Sequence, residues 1–317
     1  MSLDGNFIVA SAIANNLNSA GSLHFSRDGG VTWTDLVTAA GSGIPSSYWS
    51  SVSVRSSSTS SKALSVVASE FSSPDGASGG NVYKWDVNEQ TQQISYQVPI
   101  TTSCLNKGTD RCPGSGANPP STDFFVTVST SGQGMVAAGT VDVGAGGDIF
   151  LSAGNGQPLV RQGLTGTAAA RSSWTSVSMN FFGSVVAAAD YANGYIWTAA
   201  TADPLSTPLP IGSGNIGWTR RDAAGVRKWA AVSVTALGNL VAAGVGWPLF
   251  PILTQPVDQT GFAYISGDFG VTVRLCLSFF FGDFGGWPRK YYKTTSSRFL
   301  LLLSLSWQIK SRQKKVV

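Results

Sequence analysis

Four segments of this chain open on an aromatic residue and run on in small, hydroxyl and β-branched side chains. They are Trp49 in WSSVSV, Phe125 in FVTVS, Trp174 in WTSVSM and Trp229 in WAAVSV. After a Gly- or Ser-rich turn each is followed by a second phrase: Leu64 in LSVVAS, Met135 in MVAAGT, Val185 in VVAAAD and Leu240 in LVAAGV. A third phrase then opens on glycine, as Gly80 in GNVYKW, Gly147 in GDIFLS, Gly194 in GYIWTA and Gly261 in GFAYIS. The start of the chain supplies the second and third phrases alone, from Phe7 (FIVASA) and Gly21 (GSLHFS). Trp174 lies 49 residues after Phe125, and Trp229 lies 55 after Trp174. The step from Trp49 to Phe125 is 76, because a Pro/Gly-rich insertion occupies residues 100–120. A period this regular has to be explained before any single motif is.

Each phrase has the composition of a short strand. Small and β-branched residues that alternate or run together suit strands buried on both faces, and the glycines before the third phrase mark hairpin turns. A less regular fourth strand follows as Thr32-WTDLV, Gln93-ISYQV and Pro158-LVRQ. Four strands in about fifty residues is the period of a propeller blade. A β-helix needs shorter rungs, and a sandwich would not repeat one phrase in one order. The expectation is an all-β propeller of four-stranded blades with about five repeats, over 1–44, 45–120, 121–169, 170–224 and 225–273. The first repeat lacks its aromatic-led strand, so the ring is expected to be incomplete or weakly closed, with exposed sheet edges.

The third phrase of the first repeat continues as Ser26-Arg27-Asp28-Gly29-Gly30-Val31-Thr32-Trp33. This resembles the Asp box, S-x-D-x-G-x-T-W, of the BNR-repeat propellers: Ser26, Asp28, Gly30, Thr32 and Trp33 meet its five fixed positions. A second copy keeps Ser266, Asp268, Gly270 and Thr272, with Val273 where tryptophan is expected. The middle repeats keep little of it; Ser152-Ala153-Gly154-Asn155-Gly156 lacks the aspartate. The resemblance in phrasing covers residues 1–273, and the group includes sialidases, xyloglucan-degrading hydrolases, sortilin-type receptors and a photosystem II assembly factor. In it the box is a structural turn away from the catalytic face. A short Asp side chain accepts from N–H groups of its own turn, Gly30 supplies a positive φ, and Trp33 is expected to bury its ring against the neighbouring blade.

Charge divides the chain at the same place as the repeat. Residues 274–317 hold nine Lys/Arg and one acid, Asp283, leaving twelve Lys/Arg and sixteen acids in residues 1–273. The basic pI of about 9.0 thus belongs to the tail, and the acidic body gives no electrostatic case for nucleic acid. After Val273 the repeat phrases stop and aromatics and basic residues mix. That tail reads as a read-through from a retained intron or shifted frame, or else as a membrane-surface or partner-binding extension. Its run Phe299–Leu305 is too short to span a bilayer. Cys104 and Cys112 bracket a short loop and are read two ways, as a local disulfide or as two unpaired thiols. The first residues carry Asp4 and no basic, long apolar leader. The chain is therefore cytosolic, or secreted or organellar if its true start lies upstream.

The catalytic inventory is thin. A sialidase needs an arginine triad, a Tyr/Glu pair, an acid/base Asp and an early F/Y-R-I-P motif, and that motif is missing. The two glutamates of the repeats, Glu70 and Glu89, read as solvated surface. A xyloglucan hydrolase would use two aspartates across one cleft. Asp86, Asp142, Asp190 and Asp222 are read near inter-strand loops, and Asp142 with Asp190 are the weak candidates, because both follow second phrases. As ordinary turn residues they need no such role. The single histidine, His24, cannot build a His-based metal site or a triad, and no metal or cofactor is expected. The reading is a monomeric, non-catalytic propeller whose loops bind a protein or glycan. A glycoside hydrolase of sialidase or xyloglucanase type and a photosystem assembly factor-like protein are the alternatives.

Overall fold

The computed structural model describes residues 5–12, 21–36, 47–56, 63–71, 80–88, 94–96, 100, 102–103, 124–141, 147–154, 157–162, 172–201, 208–211, 216–246, 260–268, 272 and 274–280. Their strands form five sheets. Sheet 1 is β1 (Ile8–Ala12), β2 (Ser22–Ser26) and β3 (Thr34–Asp35). Sheet 2 is β4 (Trp49–Ser56), β5 (Ala63–Glu70), β6 (Val82–Asn88) and β7 (Ile94–Tyr96). Sheet 3 takes β8 (Thr102–Ser103) at its edge, then β9 (Phe124–Thr130), β10 (Val136–Val141), β11 (Ile149–Ser152) and β12 (Leu159–Arg161). Sheet 4 is β13 (Trp174–Met179), β14 (Val185–Asp190), β15 (Tyr195–Ala200) and β16 (Thr219–Arg220). Sheet 5 is β17 (Trp229–Val234), β18 (Val241–Val245), β19 (Thr260–Ser266) and β20 (Arg274–Phe280).

The recurring phrases are thus strands, and consecutive strands pair antiparallel. Two elements lie outside the repeat phrasing. Thr102 and Ser103, in the segment read as a loop insertion, add a parallel edge strand to β12. Residues 274–280, where the phrases stop, form the fourth strand of sheet 5.

The sheets pack face to face in chain order. A separate apolar cluster fills each interface: Trp49 with Leu23 and Phe25, Phe125 with Val67 and Val82, Trp174 with Ile149 and Leu151, and Trp229 with Val185 and Ile196. These four aromatics are fully or almost fully buried, so their periodicity encodes packing between sheets and not a stacking platform for ligand. Trp174 Nε1 donates to Gly147 O at 3.1 Å and Trp229 Nε1 to Gly194 O at 3.0 Å. These two tryptophans therefore also tie their sheets to the third-phrase glycine of the sheet before. At Gly147 the requirement is room: an added Cβ would lie 1.8 Å from Thr140 O. The glycine marks a backbone crossing as well as a turn.

First strand packs on first strand: β4 against β9, β9 against β13, β13 against β17. A first strand pairs with its own second strand on one edge, and its other edge must satisfy backbone N–H groups elsewhere. The serines of the repeat do this. Ser51 and Ser53 hydroxyls accept from Val128 N and Thr130 N, each at 3.2 Å. Thr127 and Ser129 accept from Val177 N and Met179 N at 3.0 and 3.1 Å. Ser176 and Ser178 accept from Val232 N and Val234 N at 3.1 and 3.0 Å. This ladder is why VSV recurs with a hydroxyl between the valines. Ser178→Ala removes one rung and is expected to cost about 1–2 kcal/mol in urea unfolding, because Val234 N–H is left without its acceptor. Ser178→Thr, which keeps the hydroxyl, is expected to restore most of it.

Candidate functional site

The second strand of each sheet hands over to the third at one end of the sheet, and the third hands over to the fourth at the other end. Asp190 lies at the first kind of turn and Asp28 at the second.

Asp190 closes β14 and has no exposed surface. Its Oδ2 accepts from Ser172 Oγ at 2.9 Å and Asn193 Nδ2 at 2.9 Å, and its Oδ1 from Asn193 N at 3.1 Å and Ser173 N at 3.4 Å. Sheet 2 builds the same clasp at the same register. Trp49 stands opposite Glu70 as Trp174 stands opposite Asp190. Glu70 accepts from the Ser47 hydroxyl, and from Asn81 N and Nδ2 at 3.1 and 3.2 Å. Glu70 is 2% exposed, which corrects its reading as solvated surface. A carboxylate placed there gathers donors from the segment before the aromatic strand and from the turn into the third strand. In sheet 3 the hydroxyl of Thr140 does the work, accepting from Asp148 N at 2.8 Å.

The remaining aspartates do not converge. Asp86 is within β6, not in a loop; it accepts from Ser65 Oγ at 2.8 Å and lies 3.6 Å from Lys84 Nζ. Asp222 is on an exposed turn and pairs with Arg220 at 2.6 Å. Asp142, Glu89, Cys104, Cys112 and Gly270 lie outside the described residues. His24 sits in β2, with Nε2 2.6 Å from Ser22 Oγ. Among the described residues no group of three or more His, Cys, Asp or Glu is placed to hold a metal ion.

At the opposite end, Ser26 Oγ donates to Asp28 Oδ1 at 2.8 Å and accepts from Gly30 N at 2.8 Å. Asp28 accepts from Thr32 N at 2.8 Å and Thr32 Oγ1 at 2.6 Å. Gly30 has φ +96°. The second turn matches: Ser266 Oγ to Asp268 at 2.7 Å, and Thr272 N and Oγ1 to Asp268 at 2.7 and 2.6 Å. Trp33 departs from expectation. It is 45% exposed, because its indole folds back over its own turn and donates to Gly30 O at 3.0 Å.

These bonds favour the charged carboxylate. The hydroxyl of Thr32, then its N–H, then the Ser26 hydroxyl hold Asp28 down at about 2 against an ordinary 3.8, and Thr272 and Ser266 do the same for Asp268. A depressed folded value means that the turns contribute stability above about pH 4 and lose it as pH falls toward 2. In an NMR titration the Thr32 and Thr272 amides are expected to shift with midpoints near 2, and midpoints near 3.8 would refute the bonds.

A third cluster carried no signal in the phrase pattern. Arg220, Arg221, Arg227 and Lys228 are four of the twelve cations of residues 1–273. Arg220 lies 4.4 Å over the Tyr195 ring, Lys228 4.8 Å over Tyr191, and Arg227 5.0 Å over Tyr264. Arg220, Arg227 and Lys228 are exposed. The charges are held on aromatic faces at the same end of the sheets as Asp190.

No protein-family profile matches the sequence, and no curated protein does. Among solved structures the chain is similar to an ancestral GH74 enzyme, with TM-score 0.50 and 17% identity over 87% of this chain and 33% of that one. It is also similar to the GH74 enzyme of Niastella koreensis, with TM-score 0.48 and 14% identity over 85% of this chain and 36% of that one. A third likeness is to the six-bladed β-propeller lectin of Aleuria aurantia, with TM-score 0.49 and 12% identity over 90% of this chain and 78% of that one. The chain spans about a third of the length of the two GH74 enzymes. The first of these likenesses joins the face-to-face series of small antiparallel sheets in pointing to one architecture. The fold is that of a β-propeller. Among the described residues no helix is long and apolar enough to cross a membrane.

Proposed function

We propose that this propeller is a non-catalytic binding module whose loops take a protein or glycan ligand. The observation that carries the reading is the state of Asp190, the described member of the candidate acid pair. Its two oxygens are fully engaged by four donors of its own sheet, and its side chain is buried. A general acid or base must reach the proton it transfers, and Asp190 faces its own frame. The exposed Arg220 and Arg227, held over the Tyr195 and Tyr264 rings, supply the arginine chemistry in which binding surfaces are enriched. In this reading the Ser26–Trp33 and Ser266–Val273 turns are Asp boxes of the BNR type, serving as hairpin staples only.

Glycoside hydrolysis is the second reading, favoured by the fold shared with a GH74 enzyme. It needs two carboxylates roughly 5–9.5 Å apart across a cleft. A glycan array run beside a chromogenic glycoside panel separates the two. Retention of a ligand with no chromophore release is the expected result. Turnover that vanishes in Asp142→Asn would move the assignment to a hydrolase.

A further inference from the structure

The acidic repeats gather positive charge in one place. Residues 216–229 hold Arg220, Arg221, Arg227 and Lys228 against one acid, Asp222, which leaves eight Lys/Arg and fifteen acids in the rest of residues 1–273. The backbone that carries these cations is pinned. It leaves β16 through a single 3-10 turn, Asp222–Ala224. Arg227 N then donates to Gly194 O of sheet 4 at 2.9 Å, and Gly246 N, just after β18 of sheet 5, donates to Lys228 O at 3.1 Å. Gly194 has no room for a side chain, since an added Cβ would lie 2.8 Å from Val226 Cγ1. The charged heads are held as well: Arg220, Arg227 and Lys228 lie 4.4, 5.0 and 4.8 Å over the rings of Tyr195, Tyr264 and Tyr191. Side chains ordered in advance lose less entropy when a ligand arrives.

Their partners differ. Arg220 shares its charge with Asp222 through bonds of 2.6 and 3.3 Å. Arg221 is half-buried and donates to Thr198 Oγ1 at 2.7 Å. Arg227 and Lys228 donate to main-chain carbonyls, those of Ala224 and Tyr191, at 3.3 and 3.4 Å. Among the described residues neither is paired with a carboxylate. Beside Arg227 in the chain stands Val226, 68% exposed.

We propose that Arg220, Val226, Arg227 and Lys228 form a docking surface for a short acidic segment of a partner protein, one with an apolar side chain beside its carboxylates. The proposal rests on the binding reading above and selects, for this surface, the protein ligand. Charge complementarity sets the sign of the partner. The acidity of the rest of the repeats sets its length, because a long polyanion would be repelled beyond the cluster. The rings argue against a sugar: Tyr191 and Tyr264 are buried beneath their cations, so neither face is open for stacking. The exposed Val226 supplies an apolar contact that a chain of charged sugars could not use.

The test uses the full chain and a panel of labelled decapeptides in which two glutamates flank one leucine at stepped separations. Saturable binding of at least one peptide is expected in fluorescence anisotropy at low salt, weakening as salt is raised. Arg227→Ala/Lys228→Ala is expected to bind that peptide at least about tenfold more weakly, with a melting temperature close to the parent's, because both side chains are exposed. Asp222→Asn is expected to bind it more tightly, since Asp222 competes with the incoming carboxylate for Arg220; a misfolded variant could not produce that gain. A peptide with serine for leucine is expected to bind more weakly. Three results would overturn the proposal: no saturable binding across the panel, undiminished binding by the double variant, or tighter binding of a polygalacturonate oligomer than of the best peptide. The two readings fail separately. Peptides that do not bind leave the glycan-array result standing, and glycoside turnover removes the non-catalytic reading without touching the peptide result.

Discussion

Trp174→Ala is expected to lower the unfolding free energy by about 3–5 kcal/mol, the range for emptying a fully buried large aromatic position. Against a typical domain stability of about 5–15 kcal/mol, that is about a fifth of the total or more. The site cannot collapse to fill the space. Trp174 stands at the junction of sheets 3 and 4, where a Cβ added at Gly139 would meet Trp174 Cβ at 3.0 Å. The glycine in the second phrase of sheet 3 therefore leaves room for the Trp174 Cβ of the next sheet. Removal also strips Gly147 O of its donor. Trp174→Phe separates the two contributions, because Phe125 holds the same position in sheet 3. It is expected to retain most of the packing and lose about 1–2 kcal/mol. Urea midpoints of the three proteins check this. A fall of less than about 1 kcal/mol for alanine would mean that the sheets do not meet through these residues.

Asp190→Ala is expected to be nearly as damaging, about 3–5 kcal/mol, for a different reason. It strips the Ser172 hydroxyl, the part-buried Ser173 and Asn193 N–H groups and the Asn193 amide of the acceptor they share, and hydrogen bonds to a charged group are worth about 1.5–3 kcal/mol each before mutual compensation. The readout must distinguish scaffold from chemistry. A scaffold residue lowers the melting temperature, and below that temperature the folded fraction retains its ligand in full. A residue acting on substrate would leave the melting temperature nearly unchanged and abolish activity. Sheet 5 shows how local the clasp is: Val245 stands opposite Trp229, where an acid stands in sheets 2 and 4. The carboxylate is thus one solution to closing this turn and not a requirement of the fold.

What could be read in advance, and what could not, follows from how the information is carried. The aromatic-led phrase, the VAAG phrase and the glycine-led phrase were visible as strands because alternation and β-branching act within five or six residues. Asp28 and Asp268 were legible as turn aspartates for the same reason: Ser, Asp and Thr bond to one another across four residues of chain. Glu70 was misread because its partners, Ser47 and Asn81, are 23 and 11 residues away and nothing local marks them. Burial of a carboxylate is decided by who supplies its donors, and those came from other strands. The Trp33 ring was expected between blades, but it found a nearer acceptor in its own turn. The basic cluster of Arg220, Arg227 and Lys228 fell between phrases, and the rings beneath it come from β15, β19 and the turn after β14, which the sequence does not place beside it.

From its sequence alone, then, this chain commits to short antiparallel strands in a repeating order, with hairpin turns fixed by glycine and aspartate. Such choices cost or gain energy within one strand or one turn, and one strand or one turn of sequence contains them. The tertiary structure decided which polar side chains are structural. A serine in VSV serves the N–H groups of a strand some fifty to seventy-seven residues further on, and Asp190 serves the hydroxyl of Ser172, 18 residues before it. Those partners meet only once the sheets have packed, because burial removes the water that would otherwise satisfy them.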